Sequence, residues 1–329
     1  MQVSVAMCTY NGAKYLDEQL ASIAGQEMLP DELVICDDVS TDGTLQMLEQ
    51  FASNAPFRTR IVRNAVNLGY SRNFAKAVEL CSGEMIALSD QDDIWYPHKL
   101  ARLREVLQAD SRIEGVFSNG DIVDATSRPV GRTLWESFRF GAADQARFRS
   151  GDAVDVLLRK NVVTGMAFAF RSSSRRFLPG MPGSWIHDGW LALLIAIRSR
   201  LFACPERLVG YRLHDTQQVG TPMSLRGKLD WMRNRGFKAY VERVHDRNLD
   251  EYQRLALQFD DLSAYLLREG LAGDQVQAKV RAKAAHAHRG ATALSLSKSR
   301  RWPIVLPHGG SYARFSPNGL RALFRDLLV

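Results

Sequence analysis

Residues 84–97, Glu-Met-Ile-Ala-Leu-Ser-Asp-Gln-Asp-Asp-Ile-Trp-Tyr-Pro, decide how the chain is read. The apolar run Met85 to Leu88 has the length of a buried strand, and three carboxylates follow it: Asp90, Asp92 and Asp93. In open α/β sheets, ligands sit just beyond the carboxyl ends of the strands. A D-x-D spacing lets two carboxylates turn toward one oxygen-rich point, which suits a hard divalent cation holding phosphates. The plainer reading is a solvated acidic turn followed by a helix, with Pro97 at or near its first position. The flanking sequence separates the two.

Upstream, Gln2 to Met7 alternates and is β-rich, a first strand that runs into the turn signature Cys8-Thr9-Tyr10-Asn11-Gly12. Tyr15, Leu16, Leu20 and Ile23 recur at helical spacing to about Gln26. Glu32 to Cys36 is a second buried strand, ending on Asp37-Asp38. Ser40 or Thr41 is positioned to cap a helix carrying Leu45, Leu48 and Phe51. Arg58 to Arg63 gives a third strand, and Phe74, Ala77, Val78 and Cys81 mark the next helix. Strand–helix alternation with short loops implies a doubly wound, mostly parallel sheet. Its strand ends, Thr9-Tyr10, Asp37-Asp38 and the aspartates of the fourth strand, line one edge. No G-x-G-x-x-G follows the first strand and no G-x-x-x-x-G-K-[ST] occurs, which favours phosphates held through a metal over a cradle of helix-terminus amides.

Together, Val-Ser-Val-Ala-Met-Cys-Thr-Tyr-Asn-Gly, Val-Ile-Cys-Asp-Asp-Val-Ser-Thr-Asp-Gly-Thr, Asn67-Leu-Gly with Asn73-Phe74, and Leu-Ser-Asp-Gln-Asp-Asp-Ile-Trp resemble a family 2 glycosyltransferase, over about residues 2–215. The wording from Asp90 to Trp95 is most similar to the rhamnosyltransferase-like branch. The resemblance implies a GT-A nucleotide-diphosphosugar transferase fold. It also implies that Thr9 and Tyr10 border the base, with Asn67 in the same nucleotide site, and that Asp38 accepts from a pyrimidine N3–H. Asp37 would orient the loop, Asp90 would hold the ribose or a metal-bound water, and Asp92 would ligate Mg²⁺ or Mn²⁺. Asp93 is read as a helix cap or a group behind the ligands.

Residues 113–130 supply one more strand, with Phe117, and a turn near Asp124. Thr133 to Ser150, rich in Phe, Arg and Gly, shows no period that assigns it an element; a mobile loop over the site is one reading. Val162 to Phe170 reads as a strand across the cleft, and the resemblance puts Thr164 and Gly165 where donor and acceptor sugars meet. Trp185-Ile-His187-Asp188-Gly-Trp opens an apolar helix, and the resemblance makes Asp188 the catalytic base; His187 either orients it or packs. Leu208 to His214 reads as a last strand, with His214 a further metal or diphosphate contact by the same resemblance. The processive-synthase signature Gln-x-x-Arg-Trp does not occur at Gln217-Gln218-Val219-Gly220, so transfer of one sugar per encounter is expected.

The 329 residues are 46% apolar and 24% charged, a globular composition with no stretch of roughly 20 apolar residues to span a bilayer. No signal peptide is read at the N-terminus, and four scattered cysteines without a C-x-x-C pair suggest reduced, buried thiols in a cytoplasmic protein. Residues 220–329 hold 19 Lys+Arg against 10 Asp+Glu, while residues 1–219 hold 24 against 26. The expected organisation is a catalytic domain at 1–220, with a nucleotide-sugar half at 1–120 and an acceptor half at 121–220, then a basic helical appendage at 221–329. Helical spacing covers 237–269, with Tyr240, Val244, Leu255, Phe259, Leu262 and Leu266, and then 274–294. Lys298, Arg300, Arg301, Trp302, Tyr312, Arg314, Phe315, Leu320, Leu323 and Phe324 then mix charge with apolar anchors. This suggests contact with an anionic membrane, on the cytoplasmic face of the inner membrane, where a lipid-linked glycan acceptor waits. No nucleic-acid motif accompanies the charge.

The expected activity is inverting, metal-dependent transfer of one sugar onto a hydroxyl of a cell-surface polysaccharide or lipopolysaccharide precursor. The donor is a dTDP- or UDP-sugar, with dTDP-rhamnose favoured. The alternatives are another UDP-sugar transferase, a non-catalytic nucleotide-sugar-binding protein, or a nucleotidyltransferase, the last lacking a basic Gly-rich loop at residues 8–15.

Overall fold

The computed structural model describes residues 1–214, 233 and 237–328, with the side chains of 237–241 excepted. The expected boundary at 220–221 lies outside the described residues, as do Gln217-Gln218-Val219-Gly220 and the side chain of Tyr240. The chain divides into two units, Met1–Ala153 with Val162–Met181 and Trp185–Val219, and Val154–Asn161 with Pro182–Ser184 and Gly220–Val329.

The first unit alternates β1 (Val3–Thr9), α1 (Ala13–Ala24), β2 (Glu32–Asp37), α2 (Thr44–Asn54), β3 (Arg58–Arg63), α3 (Tyr70–Leu80) and β4 (Met85–Ser89). Every residue of β1, β2 and β4 is buried, as strands covered on both faces must be. β3 has no sheet partner beyond β2 and carries Arg58, Arg60 and Arg63, charges that discourage pairing with another chain. The contact β2–β1–β4 is parallel throughout and in continuous register, so Cys8 faces Cys36 across the ladder; both remain free thiols, as do Cys81 and Cys204.

Beyond β4 the chain builds β5 (Ile94–Trp95), α4 (Lys99–Ala109), β6 (Ile113–Val123), β7 (Pro129–Thr133), α5 (Leu134–Ser137), α6 (Ala142–Ser150), α7 (Ala153–Arg159), β8 (Phe168–Arg171), α8 (His187–Arg198) and β9 (Arg200–Arg212). The sheet order is β3-β2-β1-β4-β8-β6-β9-β5, with β7 on β6. β8 is antiparallel to both β4 and β6, so the sheet is parallel in its first half and mixed in its second. The expected long strand at 162–170 is a 3₁₀ turn, Gly165–Ala167, followed by the short β8. α8 is buried from Gly189 to Ile195 on all sides, which explains an apolar run without a polar face.

Residues 133–150 are not a mobile loop. Thr133 and Glu136 form a reciprocal capping box at the start of α5. Trp135, Phe140 and Phe148 are buried around Phe117, with ring centroids 4.8–5.9 Å apart.

In the second unit, the helices Phe237–Arg268 and Asp274–Leu294 are followed by Lys298–Val305, Gly309–Phe315 and Leu320–Leu328. Tyr312, Phe315 and Leu323 pack inside it, whereas Trp302, Leu306, Leu320, Phe324 and Leu328 are exposed. No helix among the described residues is long and apolar enough to cross a membrane.

Phe140→Ala is expected to lower unfolding free energy by about 3–5 kcal/mol, the usual cost of emptying a buried aromatic position. Urea denaturation of the variant measures it; an unchanged midpoint would mean that 133–150 contributes no packing.

Candidate active site

Side chains tie the C-terminal ends of β1, β2 and β4 together. Thr9 Oγ1 donates to Asp37 Oδ1 at 3.0 Å, and Ser40 N donates to Asp37 Oδ2 at 3.0 Å, so the buried Asp37 orders the loop after β2. Neither Ser40 nor Thr41 caps α2. The N-cap is Gly43, and Asp42 accepts from Thr44 N at 3.0 Å while the Ser40 hydroxyl is turned to Asn11 N at 2.9 Å. Asp38 Oδ1 accepts from Asn64 Nδ2 and Leu68 N, both at 2.7 Å, and Oδ2 accepts from Gly69 N at 2.9 Å. A carboxylate oxygen has two lone pairs, so Oδ2 keeps one for a ligand. Asn67 Nδ2 donates to Asp38 O at 3.2 Å. Directly after these two ordered aspartates, Val39 stands at φ +67°, a conformation that β-branched residues rarely adopt.

Gln91 holds Tyr10 by both backbone groups, accepting from its N at 2.8 Å and donating to its O at 3.0 Å. The Tyr10 ring is left 44% exposed at the strand end. Nothing in the residue pattern marks Gln91 for this role.

The aspartates after β4 crowd one another. Burial, then Asp92 and Asp188, push Asp90 up to about 7, and Lys99 opposes them. Asp93 is raised by burial, then by Asp92 and Asp90; its Oδ1 accepts from Arg212 N at 3.0 Å. It does not cap a helix, because α4 begins at Lys99 behind His98. Two buried cations brace this loop. Arg212 donates from Nε to Asp92 O at 2.7 Å, from Nη1 to Ser127 Oγ at 2.8 Å and from Nη2 to Glu18 Oε2 at 2.6 Å. Lys99 Nζ donates to Met166 O at 2.6 Å and lies 3.2 Å from the Trp95 ring centroid. Burial drives Lys99 well below the usual lysine range, against Asp93 and Asp90. Sequence spacing reveals neither cation, since both occupy positions that read as ordinary polar residues.

The turn at Gly165 faces this loop. Gly165 N donates to Asp188 Oδ2 at 3.0 Å, and Gly189 N also donates to Asp188. A Cβ on Gly165 would stand 3.5 Å from Asp90 Oδ2 and 3.2 Å from His187 Nε2. Asp90, Asp188 and His187 therefore converge on one residue that has no side chain. Thr164, half-buried, precedes it and its hydroxyl does not cap the turn. Burial raises Asp188 to about 6. His187 does not orient Asp188 by any hydrogen bond. It stacks on Phe74 with centroids 4.1 Å apart, burial holds it down to about 3, and among the described residues both ring nitrogens lack a partner. A neutral imidazole orphaned beside two carboxylates is a place for a ligand hydroxyl. His214 Nε2 lies 2.8 Å from Asp92 Oδ2, with its ring 4.8 Å from Tyr15.

Residues 4–156 match the family model described as Glycosyl transferase family 2. This part of the chain belongs to that family. It forms a glycosyltransferase domain, and its relatives agree. An uncharacterized glycosyltransferase of Nostoc sp. is 30% identical over 225 residues, 65% of this chain; the chain spans 65% of that protein's length. The dTDP-rhamnosyl transferase RfbG of Shigella flexneri is 26% identical over 261 residues, 74% of this chain and 85% of that protein. Among solved structures, TarS 1-349 of S. aureus with UDP-GlcNAc superposes with a TM-score of 0.58 at 16% identity, covering 99% of this chain and 89% of that one. The mannosyltransferase PcManGT of Pyrobaculum calidifontis, with GDP-Man and Mn²⁺, gives 0.54 at 20% identity, covering 99% and 85%. These likenesses show the fold, a GT-A sheet with C-terminal helices.

Among the described residues no three His, Cys, Asp or Glu side chains form a group able to hold a metal ion. The expected trio Asp90, Asp92 and His214 thus makes no self-sufficient cage, and the described geometry spends His214 Nε2 on Asp92. Mg²⁺-type ions are commonly held by one or two carboxylates together with substrate phosphates and water. Two hard, mutually repelling carboxylates fit that class of site in the family 2 domain.

Arg212→Ala is expected to destabilise the protein by about 2–3 kcal/mol, through lost hydrogen bonds and an unpaired Asp92 carbonyl. Guanidinium denaturation measures the loss; a value below about 0.5 kcal/mol would remove Arg212 as the brace of the acidic loop.

Proposed function

We propose that the protein is an inverting glycosyltransferase that moves one sugar from a nucleoside diphosphosugar to a hydroxyl of a glycan precursor. The observation that carries this reading is the approach of both Asp188 and Asp90 to Gly165, at the edge where Asp38 and Tyr10 also lie. The roles follow the chemistry. Tyr10 offers its ring to the base, Thr9 and Asn67 border it, and the free lone pair of Asp38 suits the N3–H of uracil or thymine. Asp90 and Asp92 would hold Mg²⁺ or Mn²⁺, which when bound offsets charge on the departing diphosphate, with His214 supporting Asp92. Thr164 and Gly165 leave room for the two sugars to meet.

Asp188 is the base. It takes the proton of the acceptor hydroxyl as that oxygen attacks the anomeric carbon, and the nucleoside diphosphate leaves from the opposite face, so configuration inverts. Burial at about pKa 6 makes it a stronger base than a solvated aspartate while leaving it charged at pH 7. Because the working form is the carboxylate, transfer falls as pH drops through about 6.

Similarity to the Shigella flexneri dTDP-rhamnosyl transferase supports dTDP-rhamnose as donor; a surface polysaccharide or lipopolysaccharide precursor is the acceptor this reading carries. The working division is a catalytic domain at 1–220 and a basic helical region at 221–329. Leu320, Phe324 and Leu328 recur every four residues and are exposed, with the exposed Trp302 and Leu306 and the basic Lys298, Arg300 and Arg321 in the same unit. That mixture supports peripheral contact with an anionic membrane at the cytoplasmic face, where a lipid-linked acceptor is carried.

Asp188→Asn should cut transfer by roughly 10²–10⁴-fold with the melting temperature kept, since an amide oxygen still accepts from Gly165 N. Radiolabelled-sugar transfer reads it, and full activity would remove Asp188 from the chemistry. Over pH 5–8 the wild-type kcat/KM should rise through about 6 and then level; a flat profile contradicts the base assignment. In a thermal-shift panel of dTDP- and UDP-sugars with Mn²⁺, stabilisation should follow mass action for the true donor and weaken in Asp92→Asn. No donor shifting the wild type would count against the whole reading.

A further inference from the structure

The second unit holds a cavity of about 180 Å³ that the transfer chemistry does not use. The helix Phe237–Arg268 gives it Arg247, Asn248 and Glu251, the helix Asp274–Leu294 gives Lys283 and His286, and the helix Leu320–Leu328 gives Arg325. Its charged groups differ in what already occupies them. Arg325 Nε is spent on Asp326 Oδ1 at 2.7 Å, and Asp326 Oδ2 accepts the hydroxyls of Tyr252 at 2.6 Å and Tyr312 at 3.0 Å. His286 faces Ser311 Oγ at 2.7 Å and Ser316 Oγ at 3.1 Å, and burial first of all holds it neutral, down to about 3.

Lys283 has no such settlement. Its side chain is 2% exposed, and its ammonium, with three N–H groups, has one hydrogen-bond acceptor among the described residues, Phe315 O at 2.9 Å. The Phe259 ring lies 5.4 Å away, and Glu251 acts on it without forming an ion pair. Asn248, 4% exposed, makes no side-chain hydrogen bond among the described residues, and the exposed Arg247 has no carboxylate partner there. Buried polar groups are normally paired, and a buried cation more so. One cavity thus gathers an ammonium with a single acceptor, an amide without one and a guanidinium without a carboxylate partner, among the described residues. Burial lowers Lys283 only to about 8, so it carries its charge at neutral pH.

We propose that this cavity binds a phosphate group, held by Lys283, Asn248 and Arg247. A tetrahedral oxyanion offers several acceptor oxygens and negative charge together, and a guanidinium beside an ammonium matches both. The phosphate belongs either to a small soluble ester or to a lipid headgroup, and these two sources share the same contacts. The site uses none of the residues assigned to sugar transfer, so its fate does not depend on that reading.

Two measurements on the full chain at fixed ionic strength and pH 7 test it. Calorimetric titration uses inorganic phosphate and glycerol phosphate; flotation uses phosphatidylcholine vesicles with and without phosphatidylglycerol. Arg247→Ala is the first variant, because Arg247 is exposed and its loss leaves the fold standing. Asn248→Ala and Lys283→Met follow. Saturable binding of a soluble phosphate that weakens about tenfold or more in Arg247→Ala supports the site with a soluble ligand. Vesicle binding alone, requiring phosphatidylglycerol and lost in the same variant, supports it with a headgroup. No binding in either arm by the wild type, or binding equal in wild type and Arg247→Ala, overturns the proposal.

Discussion

Carboxylates packed at the end of a buried strand repel one another, and the first unit is built around containing that repulsion. Asp90, Asp92 and Asp93 follow β4, and Asp188 approaches from α8. Arg212 reaches the loop from β9 and holds the backbone of Asp92, while Lys99 sits beneath it on α4 and ties the Gly165 turn through Met166 O. Arg212, and the Met166 carbonyl that holds Lys99, are far from the acidic cluster in sequence, so the mixed half of the sheet is part of what braces the acidic loop. This gives the antiparallel β8 and the long β9 a purpose beyond covering the core.

The same arrangement divides charge between structure and chemistry. Asp37 and Asp93 are buried and turned to backbone or hydroxyl donors, which leaves them nothing to offer a substrate. Asp92 is partly exposed and Asp188 is held by two amides that accept no proton in return. Adjacent residues of one type thus take different parts because of which oxygen faces inward.

The parallel half of the sheet was legible in the residues because continuous apolar runs of strand length alternate with helical spacing. The polar strand ends were legible as well, since carboxylates directly after such runs have few structural uses. Long-range partners were not. Arg212 looks like one more polar residue at the end of a strand, Lys99 like the solvated start of a helix, and Gln91 like a spacer between aspartates. The aromatic cluster of Trp135, Phe140 and Phe148 was hidden because its residues arise from two short helices and the link between them, with no shared period. The apolar anchors near the C-terminus carried one signal and divided in two: Tyr312, Phe315 and Leu323 went inside, Trp302, Leu320 and Phe324 stayed out.

Val39 directly follows the two buried aspartates Asp37 and Asp38, in a left-handed conformation. Such a residue costs about 1–3 kcal/mol where its surroundings enforce it. The bonds from Leu68 N and Gly69 N to Asp38 before it, and from Ser40 N after it back to Asp37, are what enforce it here. A glycine would adopt this angle without strain, so the branched residue makes the loop after β2 store energy that the three bonds to the Asp38 carboxylate help to offset. The direction in which Asp38 points is therefore tied to a backbone angle one residue further on.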